Sequence, residues 1–175
     1  SLQGVDAHIG SPVNSVEPYE LAARKLAAFV AQHRSEQAPL DTMNTGGGFG
    51  LFYRDEPVPA FDAYAAAIVP HVQQAGCRLI VEPGRSITGN AGILVGTVQY
   101  RKASGEKTFV ILDAGMNDLV RVAMYDAYHF LWPARSKATP AHAAFGGTED
   151  PDWAPTDVVG PICESSDVFC QDRPL

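Results

Sequence analysis

Cysteine is scarce in this 175-residue sequence, which contains only Cys77, Cys163 and Cys170. So few cysteines fit a reducing compartment better than a disulfide framework, and their spacings match no zinc-binding pattern. We therefore expect a cytoplasmic protein without a metal site.

Long apolar runs and positive charge are lacking too. No run approaches the ~18–20 residues that a membrane-spanning helix needs, and no secretory signal is visible among the first residues. Acidic residues outnumber basic ones by 20 to 13, and the net charge of -7 disfavours nucleic acid and anionic membranes as partners. The sequence begins with Ser1 rather than Met, so we expect that a preceding segment has been removed.

The first half of the sequence alternates short apolar strands with helices. Strands are predicted at 2–10, 40–48 and 77–85. The first helix is predicted at 18–32, with Ser15 as N-cap and an apolar face of Leu21, Leu26, Phe29 and Val30. The second is predicted at 61–75, kinked or shifted at Pro70 and ended by Gly76. This alternation predicts parallel βα units as far as residue 91.

The second half reads as strand and loop. The runs "GILVGTVQYRK" and "KTFVILDAG" are joined by "ASGE", a hairpin signal, and residues 133–157 are predicted to form a long loop. A further strand, "DVVGPICESSDVF", is expected to break at Pro161. Residues 92–175 are thus predicted to be an antiparallel β-domain. A complete (β/α)₈ barrel needs ~250 residues, so residues 1–91 form either a small open sheet or the last units of a larger barrel.

Polar residues follow each of the three predicted parallel strands. His8 and Ser11 follow the first strand, the glycines 46–48 follow the second, and Glu82 and Arg85 follow the third. Parallel strands end on one rim, where glycine amides can bind phosphate and a carboxylate can bind a pyridine nitrogen. The set predicts a pyridoxal phosphate site. Each residue alone also has a structural interpretation: a turn, a core histidine, a solvated carboxylate or an ion-paired arginine.

Two further pairs carry chemistry in the second half. Arg121 and Tyr125 would share one face of a helix and could bind a carboxylate, although spacing alone favours a surface arginine beside a packed tyrosine. In "CESSD", Cys163 and Glu164 place a thiol among carboxylates. Acidic neighbours argue against a strongly nucleophilic thiolate, so a proton donor or polar gate is an equal alternative.

Five motifs, taken in order, resemble the diaminopimelate decarboxylases, which belong to the alanine racemase-like class of pyridoxal phosphate enzymes. They are "HIGS", "GGGFG", "EPGRSITGNAG", "DAGMNDLVR…MYDAYH" and "VVGPICESSD". The resemblance covers nearly the whole chain. It implies the last βα units of an alanine racemase-like (β/α)₈ barrel at 1–91, a β-domain at 92–175 and a head-to-tail homodimer. It also implies decarboxylation of meso-diaminopimelate to L-lysine with pyridoxal 5'-phosphate.

The resemblance also implies roles for individual residues. His8 would stack on the cofactor ring and act in catalysis, Ser11, Gly84 and the amides of Gly46, Gly47 and Gly48 would contact its phosphate, and Glu82 would bind its ring nitrogen. Arg85 would border the cofactor and, with Arg121 and Tyr125, bind substrate carboxylates. Cys163 would act in the protonation step and Glu164 would bind the far end of the substrate, both across the dimer interface.

The sequence departs from the family pattern in its lysines. None of Lys25, Lys102, Lys107 and Lys137 follows an apolar strand, where an imine-forming lysine is expected. We therefore expect the chain alone to be inactive and to need a partner chain or the missing half to stay soluble. A related decarboxylase of another basic amino acid or a carboxylated polyamine is one alternative. A non-catalytic chain that keeps the fold is the other.

Overall fold

The computed structural model describes residues 1–54, 56–131, 133–135 and 153–175, and the chain divides into two compact units. The first unit comprises Ser1–Phe52 and Glu56–Ile93, and the second comprises Leu94–Leu175 with the short stretch at 53–55. Most of the predicted loop at 133–157, including Lys137, lies outside the described residues.

The first unit is built on three parallel strands in the order β1-β2-β3. These strands, β1 (Gly4–Asp6), β2 (Thr42–Asn44) and β3 (Arg78–Ile80), pair in register, with Val5 beside Met43 and Met43 beside Leu79. Helices α1 (Glu17–His33) and α2 (Phe61–Gln74) connect them, and the short α3 (Arg85–Thr88) follows β3. The predicted parallel βα units are therefore confirmed.

Helix α1 extends one residue beyond the predicted 18–32 at each end, and its buried face matches the predicted one only in part. Its N-cap is Val16, so Ser15 does not cap it, and Pro18 lies in the first turn, where its missing N–H costs nothing. The acidic side chains in that turn, Glu17 and Glu20, interact favourably with the positive end of the helix dipole. Leu21 and Phe29, predicted to face the core, are 42% and 47% exposed. Of the predicted face, Val30 is buried and Leu26 packs against the core. Tyr19 and Ala23 are buried as well, because they pack with the buried side chains of α2 in the same cluster.

Helix α2 forms one continuous element through Pro70 and is followed by Gly76, whose φ of +61° ends the helical path. Its buried side chains, Tyr64, Ile68 and Val72, pack with those of α1 and β2 into the core of the first unit. The full set of buried core residues there is Tyr19, Ala23, Val30, Leu40, Met43, Phe49, Tyr64, Ile68 and Val72. This core fixes the strands whose ends carry the candidate site.

The second unit is a four-stranded sheet in the order β4-β5-β6-β7. Strands β4 (Val98–Ser104) and β5 (Lys107–Leu112) form the predicted hairpin, turning at Gly105. Strand β6 (Pro155–Val159) pairs parallel with β5, so the prediction of a wholly antiparallel domain is wrong for this pair. It also starts inside the segment predicted as loop. The strand ends before Pro161, as expected, and β7 (Val168–Pro174) returns antiparallel to it.

Helix α4 (Val120–Tyr125) is a short helix between β5 and β6. Ala114, Val158, Phe169 and Cys170 form the buried core of the second unit. Among the described residues, no helix combines the length and apolar character that crossing a membrane requires.

Candidate functional site

The three strand ends of the first unit carry the predicted residues at one level. Asp6, Asn44 and Ile80 are register partners, and His8, Gly46 and Glu82 each lie two residues beyond them. The backbone joins the three ends, since Glu82 N–H donates to the Gly46 carbonyl at 2.8 Å and Ala7 N–H donates to the Asn44 carbonyl at 3.1 Å. The structure therefore brings together the imidazole, the glycine loop and the carboxylate that the sequence predicted on one rim.

The glycines of the loop are required first by the chain itself. A Cβ on Gly47 would lie 2.0 Å from the Glu82 carbonyl oxygen, and one on Gly48 would lie 1.9 Å from the Gly10 carbonyl oxygen. A Cβ on Gly46 would lie 2.9 Å from His8 Nδ1. Backbone and an imidazole thus occupy the space that a side chain would need, so the triple glycine is explained without any ligand.

Two amides of this loop are already bonded within the chain. Gly46 N–H donates to Asn44 Oδ1 at 2.9 Å, and Gly47 N–H donates to His8 Nδ1 at 3.3 Å. Because His8 Nδ1 accepts, its proton is carried on Nε2. Phosphate binding by all three glycine amides remains a prediction, and these bonds make the Gly48 N–H the main candidate.

Glu82 is exposed at the rim and is held by Asn44, whose Nδ2 donates to Glu82 Oε1 at 2.6 Å. Asn44 therefore bonds both to the carboxylate and to the glycine loop. The sequence analysis missed this residue. Its signal was position alone: a polar residue at the last place of a strand whose other members are buried.

Ser11 and Arg85 form a second polar pair in the first unit. Arg85 Nη2 donates to Ser11 Oγ at 2.6 Å, and the segment holding Ser11 is bound to the glycine loop through Val13 N–H and the Gly48 carbonyl at 2.8 Å. A Cβ on Gly84 would meet nothing within 4 Å in the described structure. Space is therefore open at Gly84, in contrast to the crowded glycine loop.

The second unit places Arg121 and Tyr125 together on α4, as their spacing predicted. The Arg121 guanidinium lies 5.2 Å from the centre of the Tyr125 ring, and Tyr125 is 64% exposed. Arg121 Nε and His129 Nε2 are buried without a hydrogen-bond partner among the described residues. Burial lowers the pKa of His129, and the positive charges of Arg121 and Arg173 lower it further.

Cys163 and Glu164 are exposed on the loop between β6 and β7, which a buried aspartate holds. Asp167 is 3% exposed and accepts hydrogen bonds from Ile162 N–H at 2.7 Å and Met116 N–H at 2.6 Å. It thus joins the loop of Cys163 to the segment that precedes α4. Sequence analysis did not assign it a role; its only signal was an acid directly before the apolar run "VF".

The lysines and the acidic groups add no other site in the part of the chain that is described. Lys25 lies exposed on α1 and Lys102 on β4, while Lys107 pairs with Asp157 at 2.9 Å. None follows a buried parallel strand. Among the described residues, no three His, Cys, Asp or Glu side chains are grouped as a metal site.

Comparison with known families gives one match that covers most of the chain. Residues 11–175 match the family described as "Pyridoxal-dependent decarboxylase, C-terminal sheet domain". Two similar proteins are the diaminopimelate decarboxylases of Neisseria meningitidis serogroup B, 39% identical over 172 residues, and of Zymomonas mobilis, 38% identical over 177 residues. The two alignments include 98% and 99% of this chain, respectively, but only 39% of the length of each relative.

A solved structure shows the same likeness. The diaminopimelate decarboxylase of Helicobacter pylori, complexed with L-lysine, is 35% identical and superposes with a TM-score of 0.82 over 98% of this chain and 40% of that chain. The present chain therefore spans about 39% of the length of the curated relatives it matches.

Proposed function

The chain belongs to the pyridoxal-dependent decarboxylase family, and from this premise we propose that it is the C-terminal part of an enzyme that converts meso-diaminopimelate to L-lysine. The observation that carries the proposal is the rim of the first unit, where His8, the glycine loop and Glu82 stand at one level beyond three parallel strands. Relatives of similar sequence bear the name diaminopimelate decarboxylase.

The residues of the rim fit pyridoxal 5'-phosphate in their chemistry. Asn44 holds Glu82 Oε1, so we assign Oε2 to the ring nitrogen. Ser11 Oγ accepts from Arg85, which leaves its own hydrogen to donate to a phosphate oxygen, and Gly48 adds an amide N–H. His8 is exposed, and the hydrogen bond from Gly47 N–H orients its imidazole. We assign this imidazole to the face of the cofactor ring. When bound, the cofactor supplies an electron sink for the electron pair that stays on the substrate carbon as CO₂ departs.

Residues of the second unit are proposed to act on the substrate. Arg121 and Tyr125 would bind a carboxylate through the guanidinium and the phenol hydroxyl. Cys163 would deliver a proton, and Glu164 would bind the distal ammonium group, both at the active site of a partner subunit in a homodimer. Their exposure on a loop anchored by Asp167 supports a role at an interface.

The strands of the first unit are proposed to be the last of a (β/α)₈ barrel whose other strands carry the imine-forming lysine. Ile80, Val81 and Ile87 at the β3 side are 40%, 41% and 61% exposed. Val81 and Ile87 border an apolar groove of about 330 Å³ that also involves Phe61 and Leu79. Exposed apolar surface of this kind on a parallel sheet favours cover by further chain, and we assign that cover to the preceding barrel units.

Assay of the complete protein with pyridoxal phosphate tests the proposal. We expect release of CO₂ and L-lysine from meso-diaminopimelate, and no turnover of lysine, arginine or carboxynorspermidine. Borohydride should trap the cofactor on a lysine outside residues 1–175, and residues 1–175 alone should trap none. Turnover of a different substrate in that set would replace the substrate assignment.

One specific observation favours a second candidate, a non-catalytic chain that keeps the fold. None of the described lysines follows a buried parallel strand, where an imine-forming lysine is expected. Absence of any borohydride-trapped cofactor in the complete protein would favour this candidate over the enzyme.

A further inference from the structure

Two buried tyrosines on different helices bind the glycine loop from beneath the rim. Tyr19 of α1 is 1% exposed, and its hydroxyl donates to the Gly47 carbonyl at 3.0 Å. Tyr64 of α2 is 2% exposed; its hydroxyl donates to the Val13 carbonyl at 3.0 Å and accepts from Gly50 N–H at 3.2 Å. The loop is thus held near both ends by phenol groups that take no part in the proposed chemistry.

The bond from Tyr19 fixes the direction of one particular amide. The peptide bond between Gly47 and Gly48 is planar and trans, so its carbonyl and its N–H point in opposite directions. Because Tyr19 holds the Gly47 carbonyl toward the buried core, the Gly48 N–H is turned away from the core. Gly48 is only half-buried, unlike Gly46 and Gly47. Its φ of +81° lies in the left-handed region, which glycine adopts without strain, so the backbone can take this orientation.

The packing around Tyr19 holds its hydrogen bond to the Gly47 carbonyl in one geometry. Its ring stacks on Phe49 with centroids 5.2 Å apart and meets the edge of Tyr64 at 5.1 Å, which leaves the hydroxyl little freedom to move. Burial raises the pKa of Tyr19 to about 12, with a further contribution from Tyr64. The hydroxyl therefore remains a hydrogen-bond donor at any pH at which a cytoplasmic protein works.

We propose that Tyr19 is a positioning residue that aims the Gly48 N–H at a phosphate monoester, and so makes the site select a phosphorylated ring ligand over its unphosphorylated form. The inference rests on the proposed function, since it takes pyridoxal phosphate as the ligand of the rim. Tyr19 acts through the backbone and does not touch the ligand. Tyr64 secures the other end of the loop through Gly50, whose N–H already points to the protein interior.

The test compares pyridoxal phosphate with pyridoxal in the complete protein. Dissociation constants of both ligands are measured by absorbance for the wild type, Tyr19→Phe and Tyr64→Phe. Each variant removes one hydroxyl from the same aromatic cluster and keeps the ring. We expect Tyr19→Phe to reduce the preference for the phosphorylated ligand about tenfold, the scale of one lost hydrogen bond, and Tyr64→Phe to leave that preference unchanged. A purely structural effect would weaken both ligands equally.

The outcomes distinguish a failure of the proposed cofactor site from a failure of the proposed role of Tyr19. A wild type that binds the two ligands equally would overturn the proposed cofactor site itself. A wild type that prefers the phosphorylated ligand, with a preference that Tyr19→Phe retains, overturns only the role of Tyr19.

A wild-type measurement covers the case in which Tyr19→Phe does not fold. In protein labelled with ¹⁵N-glycine, added inorganic phosphate should shift the Gly48 amide resonance more than those of Gly46 and Gly47, which are bonded internally. An equal shift of all three, or none at Gly48, counts against the inference.

Discussion

Asn44 Nδ2 lies 2.6 Å from Glu82 Oε1, and the Oδ1 of the same amide accepts the Gly46 N–H at 2.9 Å. One side chain at the end of β2 therefore sets both the carboxylate and the start of the glycine loop. An amide is suited to this place because it offers a donor and an acceptor in fixed geometry.

Replacing Asn44 by Asp keeps the acceptor for Gly46 and removes the donor for Glu82. Two carboxylates would then face each other at hydrogen-bond distance, where they must repel or share a proton. We expect the dissociation constant of pyridoxal phosphate to rise about tenfold, equivalent to ~1.4 kcal/mol, measured by absorbance titration of the complete protein. Asn90→Asp, at an exposed position of the same unit, is the control and should bind normally. Unchanged binding by Asn44→Asp would remove Glu82 from the cofactor site.

The ion pair of the second unit should make its stability depend on pH. Asp157 is 4% exposed and lies 2.9 Å from Lys107 Nζ. Burial alone would raise the pKa of Asp157, but the Asp172 N–H, the Lys107 hydrogen bond and the Lys107 charge together hold it below its usual range. The stabilisation is therefore complete above the unfolded-chain pKa of about 3.9 and is lost as the pH falls through the lower folded pKa.

Asp157→Asn should abolish this pH dependence. We expect the variant to lose about 1–3 kcal/mol at pH 7 and to lose less than the wild type between pH 4 and pH 2, measured by urea unfolding. Asp172→Asn is the matched control, because its carboxylate is 68% exposed and lies 3.6 Å from Lys107. It should change stability by less than ~0.5 kcal/mol. If stability varies with pH in the same way for Asp157→Asn and the wild type, the Asp157–Lys107 ion pair is not the source of the pH dependence.

Asp167→Ala should loosen the loop that carries Cys163 and Glu164. The change removes a buried carboxylate that accepts two backbone N–H groups, at Met116 and Ile162, and should cost about 1–3 kcal/mol. Hydrogen–deuterium exchange should accelerate at these two amides and at Glu164. Asp118→Ala, which removes one bond to Gly115 N–H from an exposed side chain, is the control. Unaltered exchange at Ile162 would contradict the anchoring role of Asp167.

The local elements and the rim residues were predictable because their signals are local. Strand, helix and turn patterns gave β1–β3, α1 and α2, and parallel pairing follows from their alternation. Parallel pairing then places His8, Gly46 and Glu82 at one level without further information. The N-cap at Ser15 was wrong. The predicted face of α1 was right for Leu26 and Val30 and wrong for Leu21 and Phe29, because Tyr19 and Ala23 pack against α2 in their place.

What the sequence determined by itself is which residues can carry the chemistry and which strand ends hold them. Only the tertiary structure decided which partners fix them: Asn44 on Glu82, Tyr19 on the Gly47 carbonyl, Asp167 on two separate loops, and β6 beside β5 in parallel. Apart from the bond between Asp167 and Ile162, these contacts join residues far apart in the chain. A pattern of local propensity carries no information on such partners, because they are chosen by packing volume and by the need of each buried polar group for a hydrogen bond.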